Sequence, residues 1–330
     1  MSSCTMHRRD VLKALALLPA ALFAPALHAA VYPSRTVRVI VPYSAGGTID
    51  MLARRLFRDV SAKLGQPFVI ENRVGANGQI GTATVARAAP DGYTLLITGD
   101  TGFSIPSLVA KPPYDTLRDF TPVCMTDELS LLLVASNEFQ PSSLAELKTH
   151  VLGGTTPAYG TVGVGSQPHL YMEQLSRSLG VKLLDVPFPG NAPMTTALIS
   201  GEIQMALQGI AGALPYIQAG KLKAIAYGGA QRHALLPSVP TFAEQGVSGV
   251  EAKAWHGVFA PVGAPAGIVG LLTNTIWAIV SSKEYSEDFW VPNGFDPTPS
   301  IGPDKFAAFV ANDRRRYEDI LKELNFHRKD

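Results

Sequence analysis

Apolar and polar positions along the chain follow two periods. Thr36 to Val41 is a short β-branched run of the strand type. Thr48 to Leu64 carries apolar residues at 49, 52, 53, 56, 60 and 64, the spacing of one helix face, before Gly65 stops it. Phe68 to Glu71 predicts a second strand, and a glycine-rich loop and a helix to about Arg87 follow. The turn Pro90-Asp91-Gly92 leads into a third strand, Thr94 to Thr98. The order β-α-β-α-β implies a parallel sheet with right-handed crossovers.

The alternation continues. Strands are predicted at 131–135, 158–161, 183–186, 203–207, 222–227 and 255–260, and helices at 168–179, 194–200, 265–281 and 303–324. Ser143 with Glu146, and Thr241 with Glu244, form capping boxes that open helical turns. No repeat of fixed period appears, which excludes solenoids and propellers. Two βαβ sets without a flexible linker predict an α/β protein of two lobes crossed by the chain. The expected division is residues 31–130 with 253–330 in one lobe and 131–252 in the other.

The first 30 residues break this pattern. Arg8, Arg9 and Lys13 precede an almost continuous apolar run from Val11 to Leu27, and Ala29 and Ala30 follow. Positive, apolar, then small is the order of a secretory signal peptide. Arg8-Arg9-Asp10-Val11-Leu12-Lys13 also fits the twin-arginine pattern, with an ordinary Sec signal as the alternative. Pro19 and Pro25 interrupt a run already short for a bilayer, which argues against an uncleaved anchor. The expected destination is therefore the periplasm, with the signal removed.

Composition narrows the function. The chain has 330 residues, 46% hydrophobic and 17% charged, with a formal net charge of +1. That is a globular composition with no basic run for nucleic acid. Removing residues 1–30 leaves 25 basic against 26 acidic residues. Cys124 then stands alone, so neither an intramolecular disulfide nor a cysteine zinc site is available. The histidines remaining (150, 169, 233, 256 and 327) show no i,i+3 or i,i+4 pair, so no metal site is expected. Trp255-His256 reads as core packing on a strand. No cofactor is expected either. The glycines at 75, 78 and 81 do not make the dinucleotide fingerprint, and no P-loop occurs.

In open α/β sheets, ligands sit beyond the carboxyl ends of the strands. Four loops qualify: 42–50, 72–81, 99–104 and 163–169. In the first, Gly46 and Gly47 let backbone approach a ligand, and Thr48 opens a helix whose free N–H groups favour an anion. In the fourth, Ser166 and the following amides form a second anion nest. Ser166 and His169 lack the G-x-S-x-G setting and an orienting third group, so a hydrolase has little support.

These segments, in this order, resemble the Bug-type extracytoplasmic solute-binding proteins, the receptors of tripartite tricarboxylate transporters. The resemblance rests on Val41-Pro42-Tyr43 with Gly46-Gly47-Thr48-Ile49-Asp50, on Glu71-Asn72-Arg73, and on Ala88-Ala89-Pro90-Asp91-Gly92-Tyr93. It continues through Gly165-Ser166, Gln218-Ala219-Gly220-Lys221-Leu222, Val239-Pro240-Thr241-Phe242 and Gly263-Ala264-Pro265. It implies a type II periplasmic-binding-protein fold closing on a small carboxylate, with integral-membrane transporter subunits as partners. The receptor would be a monomer with no enzymatic activity. A periplasmic sensor feeding a signalling receptor is the alternative.

The resemblance also implies the ligand contacts. They are Tyr43, Ser44, Gly46, Gly47, Thr48 and Asp50 from the first loop, and Thr101, Gly102 and Phe103 from the third. Gly165, Ser166 and His169 come from the fourth, and Asn191, Ala192 and Gln208 from beyond it. Gln208 stands where relatives often carry Asp, which weakens the case for a ligand bearing an ammonium group.

Overall fold

The computed structural model describes residues 32–295 and 301–326. The segment read as a signal peptide, and His327, lie outside the described residues. The first unit runs β1 (Val37–Val41), α1 (Thr48–Leu64), β2 (Phe68–Asn72), α2 (Gln79–Ala86) and β3 (Thr94–Gly99). The long strand β4 (Phe120–Ser136) leads to α3 (Leu144–Leu152), β5 (Ala158–Thr161), α4 (Gln167–Leu179) and β6 (Leu184–Pro187). Then come α5 (Asn191–Ile199), β7 (Met205–Gly209), α6 (Ile210–Gln218) and β8 (Leu222–Tyr227). β9 (Lys253–Pro261), α7 (Ala266–Val280) and α8 (Pro303–Glu323) complete the order.

The strands join in the order β2-β1-β3-β9-β4-β7-β5-β6, with β8 also paired to β4. The two βαβ sets are parallel within themselves: β1 pairs β2 and β3, and β5 pairs β6 and β7. The centre is not. β9 runs antiparallel to both β3 and β4, and β4 antiparallel to β7 and β8, so the sheet is mixed where the sequence predicts parallel. Strand β4 changes partners along its length, with Ser130 opposite Lys253 of β9 and Leu131 opposite Gly209 of β7.

Helix α1 buries Leu52, Leu56, Phe57 and Val60 against β1 and β3, the face that the 3.6-residue spacing predicts. Gly65 ends it in the left-handed conformation, its N–H reaching Ser61 O. A second core gathers Leu133, Tyr159, Leu170, Tyr171 and Leu175 from the other βαβ set. Tyr317, Ile320 and Leu321 pack into that same cluster, so α8 starts beside Trp255 and Phe259 and ends against the second set.

Three elements depart from the periodicity. The first eleven residues of β4 carry Pro122, Asp127 and Glu128, which hide the strand, and its register shifts there twice. Helix α6 is obscured by Pro215 and Gly212. At Thr241 the capping box forms in both directions, at 3.1 Å and 2.7 Å, yet opens a single 3-10 turn because Gly246 stops it.

Candidate functional site

The carboxyl ends of β1, β3, β5 and β7 converge on one cavity of about 90 Å³. A water needs about 10–15 Å³ on this measure, so the space admits a small organic molecule rather than a solvent pair. From the first unit it is lined by Tyr43, Ser44, Gly47, Thr48 and Thr101, and from the second by Gln167, Asn191, Gln208 and Gly209. Leu129, Leu131, Val162, Leu207 and Ala254 supply an apolar wall.

Helix starts dominate the polar part. α1, α4, α5 and α6 all begin at this cleft, after Gly47, Ser166, Gly190 and Gly209, and none has a side-chain N-cap hydrogen bond. By contrast α3 has an ordinary cap, with Ser143 Oγ accepting from Glu146 N at 3.2 Å. Uncapped N-termini leave partial positive charge at the cleft, although the first amide of α4, Gln167 N, is taken by Thr101 Oγ1. Side chains add to it: Ser44 Oγ, Thr48 Oγ1 and Gln208 Nε2 are buried and have no hydrogen-bond partner within the protein. Neither Lys nor Arg lines the cavity among the described residues.

Other expected residues support the site from behind. Asp50 is buried, and its carboxylate accepts from Gly46 N at 2.9 Å, Arg54 Nε at 2.8 Å and Asn72 Nδ2 at 2.8 Å. Despite the cost of burial, those bonds hold its pKa below the usual carboxylate range. The Gly46 amide is therefore spent on Asp50 rather than offered to the cleft. Gly102 sits under Tyr43, where a Cβ would come within 2.5 Å of Thr98 Oγ1 and 2.9 Å of the Tyr43 hydroxyl. Phe103 stacks on Phe259 at 3.9 Å between ring centroids, in the core. Ser166 Oγ is buried and unpartnered one residue outside the lining. His169 Nδ1 accepts from Gly165 N at 3.3 Å, and burial, against the pull of Asp185 and Glu173, lowers its pKa. Ala192 faces Gly46, where an added Cβ would lie 3.7 Å from the Ala192 Cβ.

Gly99, Asp100, Gln167, Trp255 and His256 also line the cavity, and the sequence reading assigns none of them to it. Asp100 belongs to a loop already marked for chemistry. His256 could be found only through strand pairing, because β9 sets it opposite Gly99. A Cβ at Gly99 would lie 2.4 Å from Trp255 O, so glycine is required at this close approach. The expectation that His256 is simply core is thereby corrected: its Nδ1 meets Asp127 Oδ2 at 2.9 Å at the cavity wall. Burial disfavours its charged form, but the charge and hydrogen bond of Asp127, and the charge of Asp100, raise its pKa overall.

Asp100 is buried, and burial together with the nearby Asp313 pushes its pKa up to about 7, against the hydrogen bond of Tyr317 and the charge of Arg316. Its oxygens are occupied, Oδ1 by Thr101 N at 2.7 Å and Oδ2 by Gln167 Nε2 at 3.0 Å and the Tyr317 hydroxyl at 2.8 Å. Gln167 N donates to Thr101 Oγ1 at 3.1 Å, and Asn77 Nδ2 donates to Val164 O at 2.9 Å, so the two units touch at both the floor and the mouth.

Among the described residues, no group of three or more His, Cys, Asp or Glu could hold a metal ion, and no helix is long and apolar enough to cross a membrane.

Comparison with known proteins fits this geometry. The profile of the tripartite tricarboxylate transporter family receptor, TctC, matches residues 52–326. Protein BugT of Bordetella pertussis is 33% identical over 296 residues, covering 88% of this chain and 90% of BugT. An R. palustris protein solved with adipate superposes with a TM-score of 0.85 at 32% identity, covering 89% of this chain and 98% of that one. MatC from Rhodopseudomonas palustris with bound malate gives 0.82 at 33% identity, covering 88% and 100%. A TctC solute-binding protein from Polaromonas without ligand gives 0.60 at 27% identity, covering 88% and 99%. The uncapped helix starts, the two joined α/β units and these matches agree: the chain belongs to the TctC family of periplasmic solute-binding receptors, which are not enzymes.

Proposed function

We propose that this receptor captures a small carboxylate in the cavity between its two units and delivers it to the membrane subunits of a tripartite tricarboxylate-type transporter. The observation that carries this is the set of buried, unpartnered donors, Ser44 Oγ, Thr48 Oγ1 and Gln208 Nε2, facing the uncapped start of α1. Preorganised neutral donors hold an anion without a counter-charge, each helix start contributing about 0.3–2 kcal/mol. The adipate and malate held by the two R. palustris relatives are of this chemistry.

The units correspond to residues 31–130 with 253–330, and 131–252. The change of partner along β4 at Ser130/Leu131 and the Leu131 N to Ala252 O bond support hinges near 126–131 and 250–255. The bonds across the cleft, Gln167 N to Thr101 Oγ1 and Asn77 Nδ2 to Val164 O, support a closed arrangement of the two units. Ligand that touches both units stabilises this state over an open one. Residues 1–30 direct export by the twin-arginine route and are removed. Replacing Arg8 and Arg9 with Lys should retain precursor in the cytoplasm, whereas normal export would point to Sec.

A thermal-shift screen of organic acids tests the reading. An acid at 100 times its Kd adds about 2.7 kcal/mol of stability. The same acid should reduce the radius of gyration in small-angle scattering. Sugars, amines or amino acids shifting the transition while all simple carboxylates fail would overturn it.

A pH dependence follows from the two titrating groups on the wall. Lowering pH from 8 to 6 neutralises Asp100, whose pKa is raised to about 7, and the raised pKa of His256 favours its charged form toward the acid side. Both changes favour an anion, so affinity should rise about tenfold by calorimetry over that interval. A flat or opposite profile would contradict the assignment of this wall to the site. In the free protein the same raised carboxyl contributes stability at low pH that is lost as pH rises through about 7.

A further inference from the structure

Strand β2 ends the sheet, paired only to β1 among the described residues. The bonds at the two ends of this parallel ladder, Val37 N to Pro67 O and Arg73 N to Val41 O, turn the backbone of residues 67, 69, 71 and 73 toward β1. The amides of Phe68, Ile70 and Asn72 therefore face outward. Phe68 N is satisfied by Ser61 Oγ at 2.9 Å. The outward N–H and C=O of Ile70 meet no further strand. They border an open groove of about 850 Å³ between α1 and β2, lined by Phe68 and Ile70 and by Arg54 and Arg58 of α1. Proteins blunt such an edge with proline, a bulge or a covering element. The opposite edge, β6, ends in Pro187, whereas β2 carries no proline and pairs with β1 without a register shift.

Charge of one sign stands along this edge instead. Residues 32–75, which contain β1, α1 and β2, hold seven basic side chains against three acidic ones, whereas residues 76–330 hold 18 against 23. The side chains of Arg54 and Arg58 are 52% and 68% exposed. Arg54 bonds Asp50 through Nε and Asn72 through Nη2, and Arg58 bonds Asp59 through Nε. Nη1 of Arg54 and both terminal nitrogens of Arg58 stay open to an acceptor. A second copy of this chain would bring the same positive charge to the edge, so the groove disfavours self-pairing and favours an acidic strand.

We propose that the outer edge of β2 is a docking site for an extended acidic segment of a partner protein, which adds a strand beside Ile70 and sets its carboxylates against Arg54 and Arg58. The spacing suits this. The two arginines lie one helical turn apart, about 6 Å along α1, and alternate side chains of a strand recur every ~6.8 Å. Two carboxylates on one face of an extended segment therefore reach both. The Ile70 backbone supplies the pairing, and the guanidinium groups supply the preference for acid. An anionic lipid surface satisfies the arginines but has no use for the Ile70 edge, which favours the peptide. In the delivery step proposed above, such a segment would belong to a membrane subunit. The surface itself does not depend on which ligand the cleft holds.

Amide hydrogen exchange read by NMR on the full mature receptor tests this. The probe is a terminally blocked peptide of alternating Glu and Val, and the control is its Lys and Val counterpart. A saturating amount of the Glu peptide should slow exchange at Ile70 at least about fivefold, the worth of one backbone hydrogen bond. Val69 and Glu71, already paired to β1, should not change, and the Lys peptide should leave Ile70 as it is. Arg58→Glu should weaken the Glu peptide about threefold or more, the scale of an exposed ion pair. Ile70→Pro removes the outward N–H and leaves the pairing to β1, as an edge strand permits, so it should abolish most of the binding. Should that variant not fold, the wild-type exchange and Arg58→Glu still decide. No protection at Ile70, protection by the Lys peptide as well, or unaltered binding in folded Arg58→Glu overturns the inference. So does co-sedimentation with phosphatidylglycerol vesicles while the Glu peptide leaves Ile70 unprotected, which would assign the arginines to a membrane. Each of these outcomes leaves the carboxylate reading of the cleft standing.

Discussion

Gly47→Val should lower carboxylate affinity at least about 100-fold while leaving the melting temperature of the free protein within a few degrees. Gly47 has φ −82° and ψ 170°, an extended conformation open to a β-branched residue. A Cβ there meets only Asn191 Cβ at 3.6 Å and Ser44 O at 3.7 Å, which is ordinary contact. The added side chain instead occupies the cavity in front of the first amides of α1, where an anion must come close. Losing two charge-assisted hydrogen bonds at about 1.5–3 kcal/mol each accounts for the effect. Calorimetry with the best acid from the screen measures it, and unchanged binding would move the site elsewhere.

Trp255→Ala should have the largest effect on stability, about 3–5 kcal/mol. The indole is 1% exposed, and its N–H donates to Asp313 Oδ2 at 2.8 Å. Its ring packs edge-on against Phe306 and Phe309, at 5.4 Å and 5.8 Å between centroids. Trp255 also lines a second cavity, of about 210 Å³, bounded by Glu128, Glu251 and Arg316. It is thus a partition between the ligand cavity and that outer one. Truncation removes the partition as well as the packing, so chemical denaturation should show the stability loss and calorimetry a loss of ligand affinity. Wild-type stability in the variant would mean that the aromatic cluster does not hold the floor of the site.

The parts of the fold legible in the sequence are those governed by local chemistry. The 3.6-residue spacing of α1, the glycines that stop it and α4, and the capping box at Ser143 all depend on neighbours within a few positions. The loop 43–48 was legible for the same reason, since glycines followed by a helix start can be read directly. What the sequence did not show depends on pairing between distant residues. The antiparallel centre of the sheet, the strand hidden in 120–130 and the place of His256 opposite Gly99 all arise from β9 inserting between β3 and β4. Residues such as Asp50 and Phe103 lie in the expected loops, but their partners turn them inward: Asp50 to Gly46, Arg54 and Asn72, and Phe103 to Phe259. Position in a ligand loop is a local property, whereas contact with the ligand depends on which way each side chain is drawn.

The most direct measurement is a crystal structure of the mature protein with the acid that gives the largest thermal shift. The account predicts a carboxylate in the cavity between Ser44 and Gln208. Its oxygens should lie within about 3 Å of the backbone amides at Gly47 and Thr48 and of the Thr48 hydroxyl. Electron density for the acid outside this cavity, or inside it with the carboxylate turned away from the start of α1, would contradict the account.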